Sequence, residues 1–452
     1  MTTLVERYVE LHQRSAALHR RALDVFPDGV THDIRRQTPF PLYVERAEGS
    51  RKWDVDGNEI VDYVMGHGAL LLGHGYPPVV DAVMRQAQLG THYGASHELE
   101  VRWGELVCQL VSSAERLRFT SSGTEATMLA LRLARSFTGR EKVIRLAEHF
   151  HGWSDALTGQ PAPEETTPRS SGIPQGLLNA TIVLPANDAA ALERAFAEEG
   201  HEIAAMIFET TGAHWGTHPL DLSYIRRARD LTRDHGALLI FDEVITGFRV
   251  TEGGAQVAYG ITPDMTTMAK ILGGGLPGGA VAGRSEILDQ ISMASHTHDP
   301  AKRIAHPGTY NANPLSAAAG ATCLELIADG AHQRRAATTA AQIARELNAV
   351  FREESVMGAV YGQSSMLHIA IGMEQQPPDG YSWGWSALPA PRTWSPGAVT
   401  TALRRGMLNE GVDLMGDGMM VSSAHTPADV DRTVEAFRHT LRAMRDERLL
   451  PA

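Results

Sequence analysis

Lys270 is the side chain in this sequence best suited to covalent chemistry. It lies among Met265, Met268, Ala269, Ile271 and Leu272, just ahead of a turn at Gly273, Gly274 and Gly275. An amine in an apolar pocket loses its charge readily, which suits it to forming a Schiff base. Upstream, the apolar run Leu238–Phe241 reads as a buried strand of a parallel sheet. Asp242 and Glu243 follow at its carboxyl end, where open α/β sheets bind ligands. An aspartate so placed can bond the protonated ring nitrogen of pyridoxal phosphate (PLP). Singly, Lys270 reads as a solvated lysine and Asp242 as a helix cap. Their order and setting together favour a cofactor site.

The elements needed to position such a site can be read along the chain. Residues 1–25 have the apolar spacing of one amphipathic helix. A turn at Pro27-Asp28-Gly29 leads to Arg35 and Arg36. Alternating apolar residues around Asp56-Gly57-Asn58 predict a β-hairpin, and a Gly/His-rich loop containing His67 follows. Residues 97–117 read as a helix. Arg118–Thr120 reads as a short strand, and Ser122, Gly123 and Thr124 open a helix with its body over 126–134. Free N–H groups and the helix dipole there would suit a phosphate, while Ser122 and Glu125 also fit a plain capping box. Strand 142–146 precedes Phe150-His151-Gly152. A strand ending at Glu209 precedes His214, and a helix leads back to the Asp242 strand. Helices fill 315–354, 398–410 and 427–446. Two Pro-rich stretches, 158–178 and 377–396, read as loops.

FDEVITGFR followed by PDMTTMAKILGGGLPGGA resembles the signature of class III PLP-dependent aminotransferases, in the branch containing glutamate-1-semialdehyde aminomutase. The resemblance covers nearly the whole chain. It implies fold-type I: an α/β large domain with a seven-stranded, mainly parallel sheet, and a small α+β domain built from both termini. The corresponding segments are 1–65, 66–325 and 326–452. It further implies Lys270 as the Schiff-base lysine, Asp242 as the partner of the pyridine nitrogen, and Val244 against one ring face. Phe150, beside His151, would stack on the other face, where the family usually has tyrosine. Ser122, Gly123 and Thr124 would cradle the phosphate. Glu209 stands where the family has Glu-Pro, and would lie near the cofactor or organise its loop. GTYNANPLSAAA resembles a segment whose Gly308 and Thr309 would reach the neighbouring subunit's PLP phosphate, implying a homodimer. Stretch 158–178 corresponds to an active-site lid. Arg35 would bind a substrate carboxylate, with Arg36 as the fallback, because a guanidinium meets a carboxylate in bidentate fashion. His67, His214 and Asp417 would line the substrate pocket.

The chain has 452 residues and a formal net charge of −12. No basic block is present, which argues against nucleic acid as a partner. The two cysteines, Cys108 and Cys323, lack metal-ligand spacing and are expected to be buried free thiols in a reducing compartment. No signal-like segment or bilayer-length apolar run is evident, so a cytoplasmic protein is expected. The strand–helix alternation also fits a Rossmann dehydrogenase, but no GxGxxG follows the first strand.

Three reactions share these residues: transamination of an aryl amino acid, the aminomutase reaction, and racemisation. His67, His214 and Phe150 depart from the aminomutase pattern. PDGVTHDIR, GHGALLLGHGYP, ASHELEVRW and GAHWGTHP most resemble D-phenylglycine aminotransferase, a stereo-inverting member of the group. The expectation is therefore an aryl-amino-acid aminotransferase passing its amino group to 2-oxoglutarate. Glutamate-1-semialdehyde aminomutase, β-amino acid aminotransferase and racemase are the alternatives.

Overall fold

In the computed structural model, residues 2–161, 170–382 and 397–450 are described. Two compact units divide the chain: residues 77–331 form one, and residues 1–76 with 332–452 form the other. The division falls after Tyr76, and the preceding segment is tied to the strands of the unit built from both chain ends. His74 and Gly49 exchange backbone hydrogen bonds, and Met420 N–H donates to the Tyr63 carbonyl.

In the unit built from both chain ends, strands Val44–Glu48, Arg51–Asp54 and Glu59–Asp62 run antiparallel, and Val412–Asp413 adds parallel to the last. The expected hairpin is therefore present. A second sheet holds Gly358–Gln363, Met366–Ile371 and Gly418–Met420. Helices Ala331–Glu353, Gly397–Asn409 and Pro427–Asp446 supply Leu347, Phe351, Leu403 and Phe437 to a core shared with Val61, Leu367 and Ile369. Lys52 is buried and donates to Asp62 (2.8 Å) and to Asp413 (2.6 Å), and Asp413 also accepts from Arg404 (3.1 Å). These pairings offset the cost of taking the charges out of water. The expected single helix over 1–25 is broken into Leu4–Leu11 and Gln13–Leu23. His12 interrupts it because its ring leaves the helical run to meet Asp54 at 2.6 Å.

The 77–331 unit is organised by a seven-stranded sheet. Its strands run in the order Arg116–Thr120, Gly279–Gly283, Met265–Ala269, Leu238–Asp242, Ile203–Glu209, Lys142–Leu146 and Thr181–Leu184. Gly279–Gly283 is antiparallel to both neighbours and the remaining pairings are parallel. Every residue of Ile203–Glu209, Leu238–Asp242 and Met265–Ala269 is buried. This explains why Leu238–Phe241 reads as a continuous apolar run rather than an alternating one. Helix Gly123–Thr138 packs Ala126, Leu129, Ala130 and Leu133 against the same core.

Trp103, fully buried on helix Glu98–Leu110, stacks on Phe119 with ring centroids 4.1 Å apart. Its indole N–H donates to the Leu272 carbonyl at 3.0 Å, two residues beyond Lys270. Glycine is required around this indole. A Cβ on Gly320 would lie 2.6 Å from it, and one on Gly278 3.1 Å. Trp103→Phe keeps an aromatic ring but orphans the Leu272 carbonyl. It is expected to lower unfolding free energy by about 1–3 kcal/mol. Urea denaturation checks this, and an unchanged midpoint would remove the indole N–H from the account.

The thiols are both free, but Cys108 is exposed rather than buried, on the outer face of its helix; Cys323 is buried as expected. Stretch 158–178 contains a short helix, Gln175–Asn179, where only loop was expected. The rest of that reading lies partly outside the described residues (162–169), as does most of the 377–396 insertion (383–396). No helix among the described residues is long and apolar enough to cross a membrane.

Candidate active site

Parallel strands carry their ends to one edge of the 77–331 sheet, and the candidate residues gather there. Glu209 and Asp242 are directly paired in register, and Asp242 pairs in turn with Thr267. Asp242 is buried; its Oδ2 lies 2.7 Å from His151 Nδ1, and its Oδ1 accepts from Val244 N–H at 3.1 Å. The His151 Nε2 and the Thr267 hydroxyl are buried without a hydrogen-bond partner.

Lys270 follows the Met265–Ala269 strand directly, with φ 52°. The left-handed region is unfavourable for a residue with a Cβ, and such conformations cluster at functional sites. Burial pushes the Lys270 ammonium below its ordinary pKa; Asp242 and Glu209 oppose this and Arg249 adds to it. Burial likewise lowers His151, against the opposing effect of Asp242.

Glu209 is buried, and its carboxylate accepts three backbone N–H groups: Phe150 (2.7 Å), His214 (3.1 Å) and Trp215 (2.9 Å). Burial nonetheless pushes it up to about 7, with the charge of Asp242 contributing.

At the start of helix Gly123–Thr138, Ser122 Oγ accepts from Glu125 N–H and Glu125 bonds back to Ser121 N–H. Ser122 is therefore a true N-cap, but the reciprocal bond of the expected capping box goes to Ser121 rather than to Ser122 N–H. The first intrahelical bond comes from Ala126 N–H to Ser122, so the amides of Gly123 and Thr124 precede it and point out of the helix. A Cβ on Gly123 would lie 3.1 Å from both γ-methyls of Val244, and one on Gly152 (φ 88°) would collide with the Thr124 hydroxyl. These absent side chains keep a notch open at a helix N-terminus, a setting that suits phosphate.

The remaining candidates are dispersed. Phe150 is 62% exposed, so its ring is not a core residue. His214 is exposed and has φ 48°. Gly308 and Thr309 line a cavity of about 640 Å³ together with Ser121 and Glu125. In the other unit, Arg35 and His67 line one cavity of about 440 Å³ with Phe26, Val30, Ile34 and Leu42. Arg35 donates to the Thr31 hydroxyl at 2.9 Å, and Arg36 lies 3.5 Å from Asp28. Asp417 is outside the residues lining that cavity, half-buried beside Tyr361, and burial raises its pKa. Sequence reading missed the partner of Asp242, the three-donor environment of Glu209, and Trp103 behind the lysine turn. No local motif signals any of them.

The donor set fits PLP. An amine of lowered pKa, a buried carboxylate, an unpartnered imidazole nitrogen and an open helix N-terminus match an aldehyde, a ring nitrogen and a phosphate. The Aminotransferase class-III family model matches residues 34–433. Glutamate-1-semialdehyde 2,1-aminomutase 2 of Brevibacillus brevis is 38% identical over 439 residues, covering 94% of this chain and 97% of that protein. A solved ω-transaminase from Sphaerobacter thermophilus is 33% identical, with TM-score 0.84, covering 95% of this chain and 98% of its own. A transaminase solved with PLP bound is 28% identical at TM-score 0.84, covering 96% and 99%. The chain thus has the fold-type I architecture and belongs to the class-III aminotransferases, enzymes that use pyridoxal phosphate.

Proposed function

We propose that this enzyme moves an amino group within the chemistry of the glutamate-1-semialdehyde aminomutase branch, on a small substrate bearing a carboxylate. The observation carrying this reading is the 38% identity to an aminomutase over nearly the full length of both chains. PLP, when bound, supplies an aldehyde for amines and a ring that takes up electron density. Lys270 supplies the amine: burial favours its uncharged form, the form that can make a carbon–nitrogen bond and take or return a Cα proton. Asp242 holds a proton at the ring nitrogen, and His151 orients Asp242 through the 2.7 Å contact. The Ser122, Gly123 and Thr124 notch would receive the phosphate, and Val244 and Phe150 would hold the ring between them. Arg35 binds the substrate carboxylate, with His67 beside it in the same cavity; His214 and Asp417 are further substrate-pocket residues. Gly308 and Thr309 act across a homodimer interface, and the cytoplasm is the assigned compartment.

A second reading, transamination of D-phenylglycine or a related aryl amino acid to 2-oxoglutarate, is favoured by His67, His214 and Phe150. The predominantly apolar residues around Arg35 and His67 also suit an aryl group. None of the relatives named above carries that specificity. One assay separates the two readings. Purified enzyme with PLP is given glutamate-1-semialdehyde alone or D-phenylglycine with 2-oxoglutarate. Formation of 5-aminolevulinate from the first supports the aminomutase reading. Benzoylformate and glutamate from the second, without 5-aminolevulinate, overturn it in favour of the aryl reading.

A further inference from the structure

We propose that Glu209 is a positioning residue that fastens two separate active-site turns, 148–152 and 213–216, to one strand end. The contact is reciprocal on the first turn. Glu209 N–H donates to His149 Nδ1 at 2.9 Å, and Phe150 N–H donates back to the Glu209 carboxylate at 2.7 Å. The second turn gives two further donors, His214 and Trp215 N–H. A carboxylate offers about four acceptor sites, so one side chain can serve all three amides.

The backbone shows why a fastening is needed. Glu148, His214 and Trp215 have φ of 64°, 48° and 55°, left-handed conformations that a side chain with a Cβ disfavours. Such turns persist only when their surroundings over-determine them. All three strained residues are within two positions of an amide that Glu209 binds. The first clasp also requires His149 Nδ1 to be unprotonated. Burial, with His151, Arg145, His214 and His218 nearby, holds His149 well below its ordinary pKa and favours the neutral ring, and the Glu209 N–H donation selects its Nε2–H tautomer, with Nδ1 as the acceptor.

The consequence reaches the chemistry indirectly. His151 follows Phe150 and contacts Asp242, while its carbonyl accepts from the Thr127 hydroxyl at 2.8 Å. Releasing Phe150 N–H therefore loosens the segment that sets the Asp242 carboxylate. Thr210, next in the chain, is held separately by its hydroxyl contact with Thr246 at 2.9 Å.

The test is hydrogen–deuterium exchange on the full-length, PLP-loaded protein. It rests on the proposed function only in placing these turns at the active site. It needs no substrate, so a failed substrate assignment leaves it standing. Glu209→Ala is expected to accelerate exchange at Phe150, His214 and Trp215 together by about tenfold or more, as expected when three backbone amides lose their hydrogen-bond acceptor. The body of the sheet, including Ile240 and Met206, should keep its protection. Acceleration spread over the whole sheet would instead mark a general structural role and overturn the proposal, as would exchange within twofold of wild type at both turns. Glu209→Gln keeps the size and serves if the alanine variant does not fold. Its single carbonyl oxygen should leave at least one turn fast, and protection retained at both would overturn the proposal. A changed cofactor absorption band in the same variants would separate positioning from mere stability.

Discussion

Lys270→Ala is expected to reduce turnover by about 10⁴-fold, because it removes both the nucleophile and the proton carrier. The neighbours cannot replace it. His151 lies against Asp242, and Glu209 is occupied by three backbone amides. The variant should fold, since the left-handed φ of 52° at this position is the only local demand and alanine meets it no worse than lysine. Burial of an ammonium opposes folding, so removing the side chain also relieves a cost. Steady-state assay with whichever substrate the enzyme accepts gives the rate. Circular dichroism establishes that the fold is kept, and loss of a borohydride-reducible PLP adduct confirms that the lysine carried it. Full turnover in this variant would sink the assignment.

Asp242→Asn is expected to lower kcat by roughly 10²–10³-fold, the scale for losing one preorganised charge aimed at the reacting system. The amide keeps the size, and its oxygen can still accept from Val244 N–H, so the strand end stays in place. On the proposed reading, what is lost is the negative charge that would face the ring nitrogen, together with the carboxylate partner of His151. The effect should lie in kcat more than in KM, since the substrate is bound by other groups. Stopped-flow spectra of the cofactor band with substrate would show a slowed first half-reaction. A kcat within twofold of wild type would remove Asp242 from the mechanism.

The sequence made some parts of this molecule readable and hid others for a physical reason. The Leu238–Asp242 strand was legible because burial on both faces leaves an uninterrupted apolar run. The capped helix after Ser122 was legible because caps are local: Ser122 and Glu125 are three residues apart. Helix Pro427–Asp446 carries the expected limits, with Thr426 as its N-cap. The arrangement of the catalytic edge depends on contacts distant in sequence. His151 and Asp242 are 91 positions apart, and Phe150 and Glu209 59. Periodicity carries no information about such pairs; family resemblance supplied the residues but not their partners. The break at His12 was missed for the same reason. The apolar spacing continues through it, and only Asp54, 42 residues on, draws the ring aside.

The unit made of 1–76 and 332–452 has a consequence for biosynthesis. Ribosomes deliver the chain from one end at roughly 5–20 residues per second. The hairpin Arg51–Asp54 and Glu59–Asp62 emerges early, but Val412–Asp413, which completes that sheet, is translated near the end. Until then the hairpin keeps an open edge, and Lys52 lacks the Asp413 carboxylate that compensates its burial. The contiguous 77–331 unit can close its own sheet meanwhile. The 77–331 unit is then complete while the other still lacks Val412–Asp413, for roughly 4–16 seconds at that rate. During that interval the exposed hairpin, not the 77–331 unit, is the part of the chain most in need of chaperone cover.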